Sequence, residues 1–180
     1  MTVDIDALRS ALEGAVGAGQ VLTGDAISDD LTHDEALGIE GIRPAAVVRP
    51  TSTDQVAAVV AWAAANGVPV TARGAGTGMS GACIPHPDGI LISFEKMAAI
   101  VEIDLANHVA VVQPGVTLHQ LDEALVPHGL IYPVQPGENS ASLGGNVATN
   151  AGGMGPGRYD DRRREVQGKS ATAGVGLVSR

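Results

Sequence analysis

The chain is 180 residues long, enough for one domain or two small subdomains. Its 44% hydrophobic and 17% charged content supports a buried core and excludes global disorder. The formal net charge is −9, the one basic cluster is Arg162-Arg163-Arg164, and aromatic residues are few (Trp62, Phe94, Tyr132, Tyr159), which argues against a nucleic-acid partner.

Cys83 is the only cysteine, so neither an intrachain disulfide nor a thiolate metal cluster can form. The histidines (His33, His86, His108, His119, His128) lack metal-site spacing, so no metal ligands are assigned. No apolar run approaches the ~18 residues of a membrane span, and Met1-Thr2-Val3-Asp4 lacks the basic and apolar pattern of a secretory signal, so none is expected. A cytoplasmic location is expected.

In chain order, residues 4–16 read as an amphipathic helix, with Asp4 as cap and Ile5, Leu8, Leu12 and Val16 on one face. Residues 23–43 are acidic and without period, a loop with a short helical turn near residues 34–37. Ala45-Ala46-Val47-Val48 is a strand stopped by Pro50. Ser52-Thr53-Asp54-Gln55 is a capping box that opens a helix through Val56, Val59, Val60 and Ala63, and Asn66-Gly67 ends it. Residues 68–71 form the next strand, which runs into Ala72-Arg73-Gly74-Ala75-Gly76-Thr77-Gly78-Met79-Ser80-Gly81.

Residues 90–94 are a strand buried on both faces. Residues 100–104 and 108–113 form an antiparallel hairpin about Leu105-Ala106-Asn107. Thr117-Leu118-His119-Gln120 is a second capping box, Leu121, Ala124 and Leu125 continue its helix, and Leu130-Ile131-Tyr132 is a strand. A polar loop over 133–142 leads into Leu143-Gly144-Gly145-Asn146-Val147-Ala148-Thr149-Asn150-Ala151-Gly152-Gly153. Residues 155–180 show neither period, and they are expected to be a divergent, poorly ordered tail.

The two glycine-rich runs carry the chemistry. Glycine leaves amides bare, so several can converge on one anion. In the first run, amides of Gly74, Ala75, Gly76, Thr77 and Gly78 could meet a diphosphate, with the Thr77 and Ser80 hydroxyls as further donors. The run is no Walker A loop, because Ala82-Cys83 stands where Lys-Ser/Thr is needed, and no Rossmann fingerprint, because Met79 replaces the third glycine. Taken alone it also fits a flexible turn. In the second run Asn146, Thr149 and Asn150 sit among small residues, which suits a segment pressed against a flat ligand or a hinge.

Five ordered blocks extend this reading: Arg43-Pro44 with Val47-Val48-Arg49-Pro50; Val70-Thr71-Ala72-Arg73-Gly74-Ala75-Gly76-Thr77; Gln113-Pro114-Gly115-Val116-Thr117-Leu118; Pro133-Val134-Gln135-Pro136; and the run from Leu143 to Gly153. Together they resemble the FAD-binding domain of the vanillyl-alcohol oxidase / p-cresol methylhydroxylase (PCMH) superfamily. The likeness is strongest to its glycolate oxidase, D-lactate dehydrogenase and D-2-hydroxyglutarate dehydrogenase branch. A third reading, UDP-N-acetylenolpyruvoylglucosamine reductase or the flavin subunit of a molybdenum hydroxylase, shares the first loop, but the wording of Gly145–Gly153 fits the hydroxy-acid branch better.

The resemblance implies an α+β, PCMH-type fold of two small α+β subdomains that hold FAD. It divides the chain into an N-terminal helix and loop (1–42), an incomplete FAD-binding domain (43–154) and the tail (155–180). By the same likeness Arg73, Gly74, Ala75, Gly76, Thr77, Gly78 and Ser80 surround the diphosphate. Pro136, Gly137, Glu138, Asn139 and Ser142, with Gly145, Thr149, Asn150, Ala151 and Gly152, line the ribityl chain and flavin ring. Some relatives attach FAD covalently through a histidine where this chain has Thr77, so a non-covalent flavin is expected. The family's closing strand and substrate domain have no counterpart after Gly153. The chain is therefore expected to be a truncated or frame-disrupted FAD-binding portion of a 2-hydroxy-acid oxidoreductase with no catalytic residues of its own, inactive alone. The alternative is a non-catalytic flavin-binding subunit completed by a partner chain that supplies the substrate domain.

Overall fold

A computed structural model describes residues 5–152 and 173–179. The chain divides into two units, Met1–Lys96 and Met97–Arg180. Each mixes helix with strand, so the expected pair of small α+β subdomains is present.

In the first unit, α1 (Ile5–Val16) buries Leu8, Leu12 and Val16, one turn apart on one face. Ile5, expected on that face, is exposed, and Asp4 lies outside the described residues. Strands β1 (Val21–Leu22), β2 (Ala46–Val48), β3 (Val70–Arg73) and β4 (Ile90–Ser93) form one sheet in the order β1-β2-β4-β3. β2 and β3 both run parallel to β4, and β1 is antiparallel to β2. The helix between β2 and β3 is α2 (Thr53–Asn66), so the expected β-α-β passage exists with β4 inserted between its strands.

Alternation splits the strand side chains between two faces. Ala46, Val48, Ile90 and Ile92 pack with α1 and with Val59 and Ala63 of α2, while Val47 and Leu91 pack on Ile27. Each such large aliphatic side chain contributes about 1.5–3 kcal/mol on burial. The α2 cap is half of the expected box: Ser52 Oγ accepts from the Gln55 amide, but Gln55 Oε1 accepts from the Thr51 amide rather than from Ser52.

The loop over 23–43 carries its helical turns at Gly24–Ala26 and Asp29–Leu31, not at 34–37. Arg43 fixes this loop. Its guanidinium pairs with Asp29 at 2.6 Å and donates to the carbonyls of Gly24 and Ile27.

In the second unit, β5 (Ile100–Asp104) and β6 (Val109–Val112) form the expected hairpin. Asp104 Oδ1 accepts from the amides of Ala106 and Asn107, which shapes the turn. Helix α3 (Leu118–Leu125) starts from a complete Thr117–Gln120 capping box and is followed by β7 (Leu130–Ile131) and helix α4 (Leu143–Thr149). Leu118, Leu121, Leu125, Leu130, Tyr132, Val134 and Leu143 share a core with Ala110 and Val112.

The tail departs from expectation. Ala173–Gly176 (β8) pairs antiparallel with β6, Val178–Ser179 (β9) pairs with β7, and Val175 and Leu177 enter the core. The expectation of a patternless end is corrected for 173–179, while residues 155–172 lie outside the described residues. The reason is physical: two apolar residues with a glycine between them supply period two only once a partner strand is present. No helix among the described residues is long and apolar enough to cross a membrane.

Candidate functional site

β3 delivers Arg73 to the start of the first glycine run. Arg73 is 7% exposed, and its guanidinium donates to the His33 carbonyl at 2.5 Å. Gly76 passes directly above it at φ +81. A Cβ built on Gly76 would fall on Arg73 Nη2 and Cζ and lie 2.9 Å from Nη1. Both the left-handed backbone and the close approach therefore demand glycine here. Arg73 supports the run from beneath rather than presenting its charge outward.

The Gly78 carbonyl accepts from the Glu35 amide at 2.8 Å. The amides of Gly76, Thr77 and Gly78 donate no hydrogen bond among the described residues. Ser80 is exposed, and its hydroxyl likewise has no bond among them. Gly74 is committed elsewhere, because its amide donates to the Cys83 thiol. Burial is the main influence on that thiol and pushes its pKa up. Arg73 and the Gly74 amide act against this, and Asp34 acts with it.

In the second unit, residues Leu143–Thr149 of the second run form helix α4. Ser142 is buried and its Oγ accepts from the Gly145 amide, which caps α4 at its start. Asn150 ends the helix at φ 52, its amide turned back to the carbonyls of Asn146 and Val147. The Ala151 amide likewise donates to Asn146 O at 2.9 Å. Thr149 Oγ1 donates to Gly145 O at 2.9 Å. Gly144 seats the helix on Pro114: its amide donates to Pro114 O at 2.9 Å, and a Cβ there would stand 2.6 Å from Pro114 Cβ.

Ahead of the helix, Pro136 and Gly137 lead a turn in which Glu138 Oε1 accepts from the hydroxyl and the amide of Ser140. Those two bonds, the hydroxyl's first, hold the Glu138 carboxyl below its ordinary pKa. The Asn139 carbonyl accepts from the His119 amide, and Gly152 is exposed past the helix end. Asn146 differs from its neighbours. It is 6% exposed, and its Nδ2 has no hydrogen-bond partner among the described residues. A buried amide donor left unmade costs about 1–3 kcal/mol, so the position is suited to an acceptor brought by a ligand.

Each run is thus brought together within its own unit, residues 73–80 in the first and 136–152 in the second. The donor chemistry fits a phosphate-bearing, hydrogen-bond-accepting cofactor. Among the described residues, three adjacent amides lack acceptors in the first run and a buried carboxamide donor lacks one in the second. The sequence reading did not identify residues 33–35, whose contacts to the glycine run come from a loop without periodicity.

Comparison with known proteins agrees with this chemistry. A family model described as an FAD binding domain matches residues 44–178. An uncharacterized FAD-linked oxidoreductase of Mycobacterium tuberculosis is 50% identical over 165 residues, covering 92% of this chain and 36% of the relative. D-lactate dehydrogenase of Anaerostipes hadrus is 43% identical over 159 residues, covering 88% of this chain and 34% of that enzyme. The chain thus spans about a third of the length of these curated relatives. Among solved structures, an alkyldihydroxyacetonephosphate synthase shares the fold at a TM-score of 0.83 and 18% identity, covering 97% of this chain and 39% of that one. On the family match and the two units that carry it, the chain belongs to the FAD-binding domain family of FAD-linked oxidoreductases, and its cofactor is FAD.

Proposed function

We propose that the chain is the FAD-holding portion of a flavin-dependent oxidoreductase that oxidises a 2-hydroxy acid of the D-lactate, glycolate or D-2-hydroxyglutarate class. The observation that carries this is the set of amides at Gly76, Thr77 and Gly78 that have no acceptor among the described residues, above a buried Arg73. Hydrogen bonds from such amides to a charged group are worth about 1.5–3 kcal/mol each, enough to offset the repulsion of an acidic chain. In this reading those amides hold the diphosphate, with Ser80 and the Thr77 hydroxyl beside them. Asn146 supplies a donor in the second unit, within the span 145–152 that lines the ribityl chain and ring. Bound flavin supplies hydride acceptance, and the protein supplies orientation and electrostatics.

The flavin is held without a covalent bond, since Thr77 offers no imidazole at the place where some relatives carry an attaching histidine. The 43% identity to a D-lactate dehydrogenase supports the substrate class. The 180-residue chain alone binds flavin weakly and does not turn over, and it works in the cytoplasm. The test is purification, a flavin absorbance scan after acid precipitation, and assays with D-lactate, glycolate and D-2-hydroxyglutarate. Flavin released into the supernatant, without turnover, is expected. Absence of any flavin binding, or robust turnover by the chain alone, overturns the reading.

A second reading, completion of the site by a partner chain, is favoured by exposed apolar side chains in the first unit. Met79 of the glycine run is 74% exposed, Ile39, against Gly81, is 51% exposed, and Leu37 is 90% exposed. Exposed apolar groups of this kind mark interfaces. Activity that appears only in a purified complex would distinguish this reading.

A further inference from the structure

The acidic loop over 23–43 has a role in the first unit that its sequence does not announce. Three contacts tie residues 33–35 to the start and middle of the glycine run and to Cys83 just past its end. Arg73 Nη1 donates to the His33 carbonyl at 2.5 Å, the Glu35 amide donates to the Gly78 carbonyl at 2.8 Å, and the Cys83 amide donates to Asp34 Oδ2 at 3.5 Å. Asp34 is 5% exposed, and its other oxygen, Oδ1, accepts from the Ala36 amide at 3.1 Å. A buried carboxylate is costly unless its oxygens are satisfied, and here backbone amides of two separate segments satisfy them. A Cβ built on Gly78 would lie 3.9 Å from Asp34 Oδ2, so the carboxylate stands directly against the run.

Residues 33–35 are themselves held. The Ile42 amide donates to the Thr32 carbonyl at 2.9 Å, Thr32 Oγ1 donates to Asp29 O at 2.6 Å, and Arg43 pairs with Asp29. A glycine-rich run without such support would lose about 1–2 kcal/mol of backbone freedom per residue when it closed on a ligand. A run fixed beforehand avoids that cost, and its ligand binds more tightly for it.

We propose that residues 33–35 are a strut that holds the glycine run in its anion-binding form, and that Asp34 is the positioning residue at its centre. The proposal rests on the reading that this run holds the FAD diphosphate. Asp34 acts through the loop and does not touch the cofactor. A bare carboxylate beside a diphosphate would weaken binding, so its presence is explained by the backbone it organises.

Cys83 is the sole cysteine of the chain and sits at the far end of the run, so its alkylation by iodoacetamide reports on the strut alone. The rate at high pH, where the thiolate is complete, reads accessibility. The midpoint of the pH–rate profile reads the charge of Asp34 separately. The full chain is compared with Asp34→Ala and Asp34→Asn by this profile, by FAD titration and by circular dichroism. Asp34→Ala is expected to raise the limiting alkylation rate and the FAD dissociation constant about tenfold each. Asp34→Asn, which keeps an acceptor for the Ala36 amide, is expected to fall between wild type and Asp34→Ala in both.

A folded Asp34→Ala chain with the wild-type limiting rate overturns the strut. So does a changed limiting rate with unchanged FAD affinity, since Asp34 would then have no positioning role. If Asp34→Ala does not fold, the limiting rate and FAD affinity of Asp34→Asn decide by the same criteria. Failure of the wild-type chain to bind FAD overturns the diphosphate reading and Asp34's role in it, while the alkylation rates still show whether the strut exists.

Discussion

Replacing Gly76 by alanine tests the geometry of the first glycine run. At φ +81 an L-residue pays about 1–2 kcal/mol for the left-handed backbone. The new methyl would occupy the space of the Arg73 guanidinium, which is buried and bonded to the His33 carbonyl. Moving that guanidinium forfeits a charge-assisted hydrogen bond, about 1.5–3 kcal/mol. The sum is about 2.5–5 kcal/mol, which for a unit of this size lowers the melting temperature by about 10 °C or more. Gly78→Ala is the internal control. Gly78 has no left-handed backbone, and its built Cβ meets only Asp34 Oδ2 at 3.9 Å, an ordinary contact. Its stability should stay within about 0.5–1 kcal/mol of wild type. Differential scanning calorimetry of the three proteins separates the cases. If Gly76→Ala melts within a few degrees of wild type, Arg73 does not lie fixed beneath the loop and the argument fails.

Three more outcomes follow from the second unit. Gly144→Ala places a methyl 2.6 Å from Pro114 Cβ and 2.8 Å from Pro114 O, backbone and ring atoms that cannot swing aside, so urea unfolding should show a loss of about 1–3 kcal/mol. Asn146→Ala removes a buried donor that has no partner among the described residues, so it should leave the stability of the flavin-free chain unchanged or higher while weakening FAD about five- to tenfold; unchanged affinity would remove Asn146 from the site. Asp104 has a pKa below its ordinary value, chiefly because the Asn107 side chain donates to it at 2.6 Å, and then through the Asn107 and Ala106 amides. A depressed carboxyl stabilises the folded state above its unfolded pKa, and that contribution is lost as pH falls through the folded value. Asn107→Ala should therefore move the Asp104 midpoint in an NMR titration upward, toward the ordinary carboxylate range; an unmoved midpoint contradicts the assignment.

The sequence exposed the elements whose signals are local. Ser52 and Thr117 announced the helices they cap, and four buried aliphatic residues, Leu8, Leu12, Val59 and Ala63, lay at helical spacing. The glycine runs were visible because bare backbone has few other uses. What stayed hidden depends on partners distant in sequence. β4 pairs between β2 and β3, a choice made by sheet order rather than by any residue of β4. Val175 and Leu177 read as isolated until β6 and β7 give β8 and β9 something to pair with. The glycines between Leu143 and Gly153 weigh against a helix by propensity, and Ser142, Asn150 and the seat on Pro114 override that propensity. Asp34 lacked any period, since its contacts reach residues 78 and 83, far along the chain.

The central claim is that open amides in the first glycine run receive the diphosphate of FAD. The most direct measurement is a ¹H–¹⁵N correlation spectrum of the labelled full chain, recorded as FAD is added and then with ADP in its place. The amides of Gly76, Thr77 and Gly78 should shift with both ligands, and the Asn146 side-chain amide with FAD alone. If those three backbone amides stay still while FAD binds, the diphosphate lies elsewhere and the account is wrong.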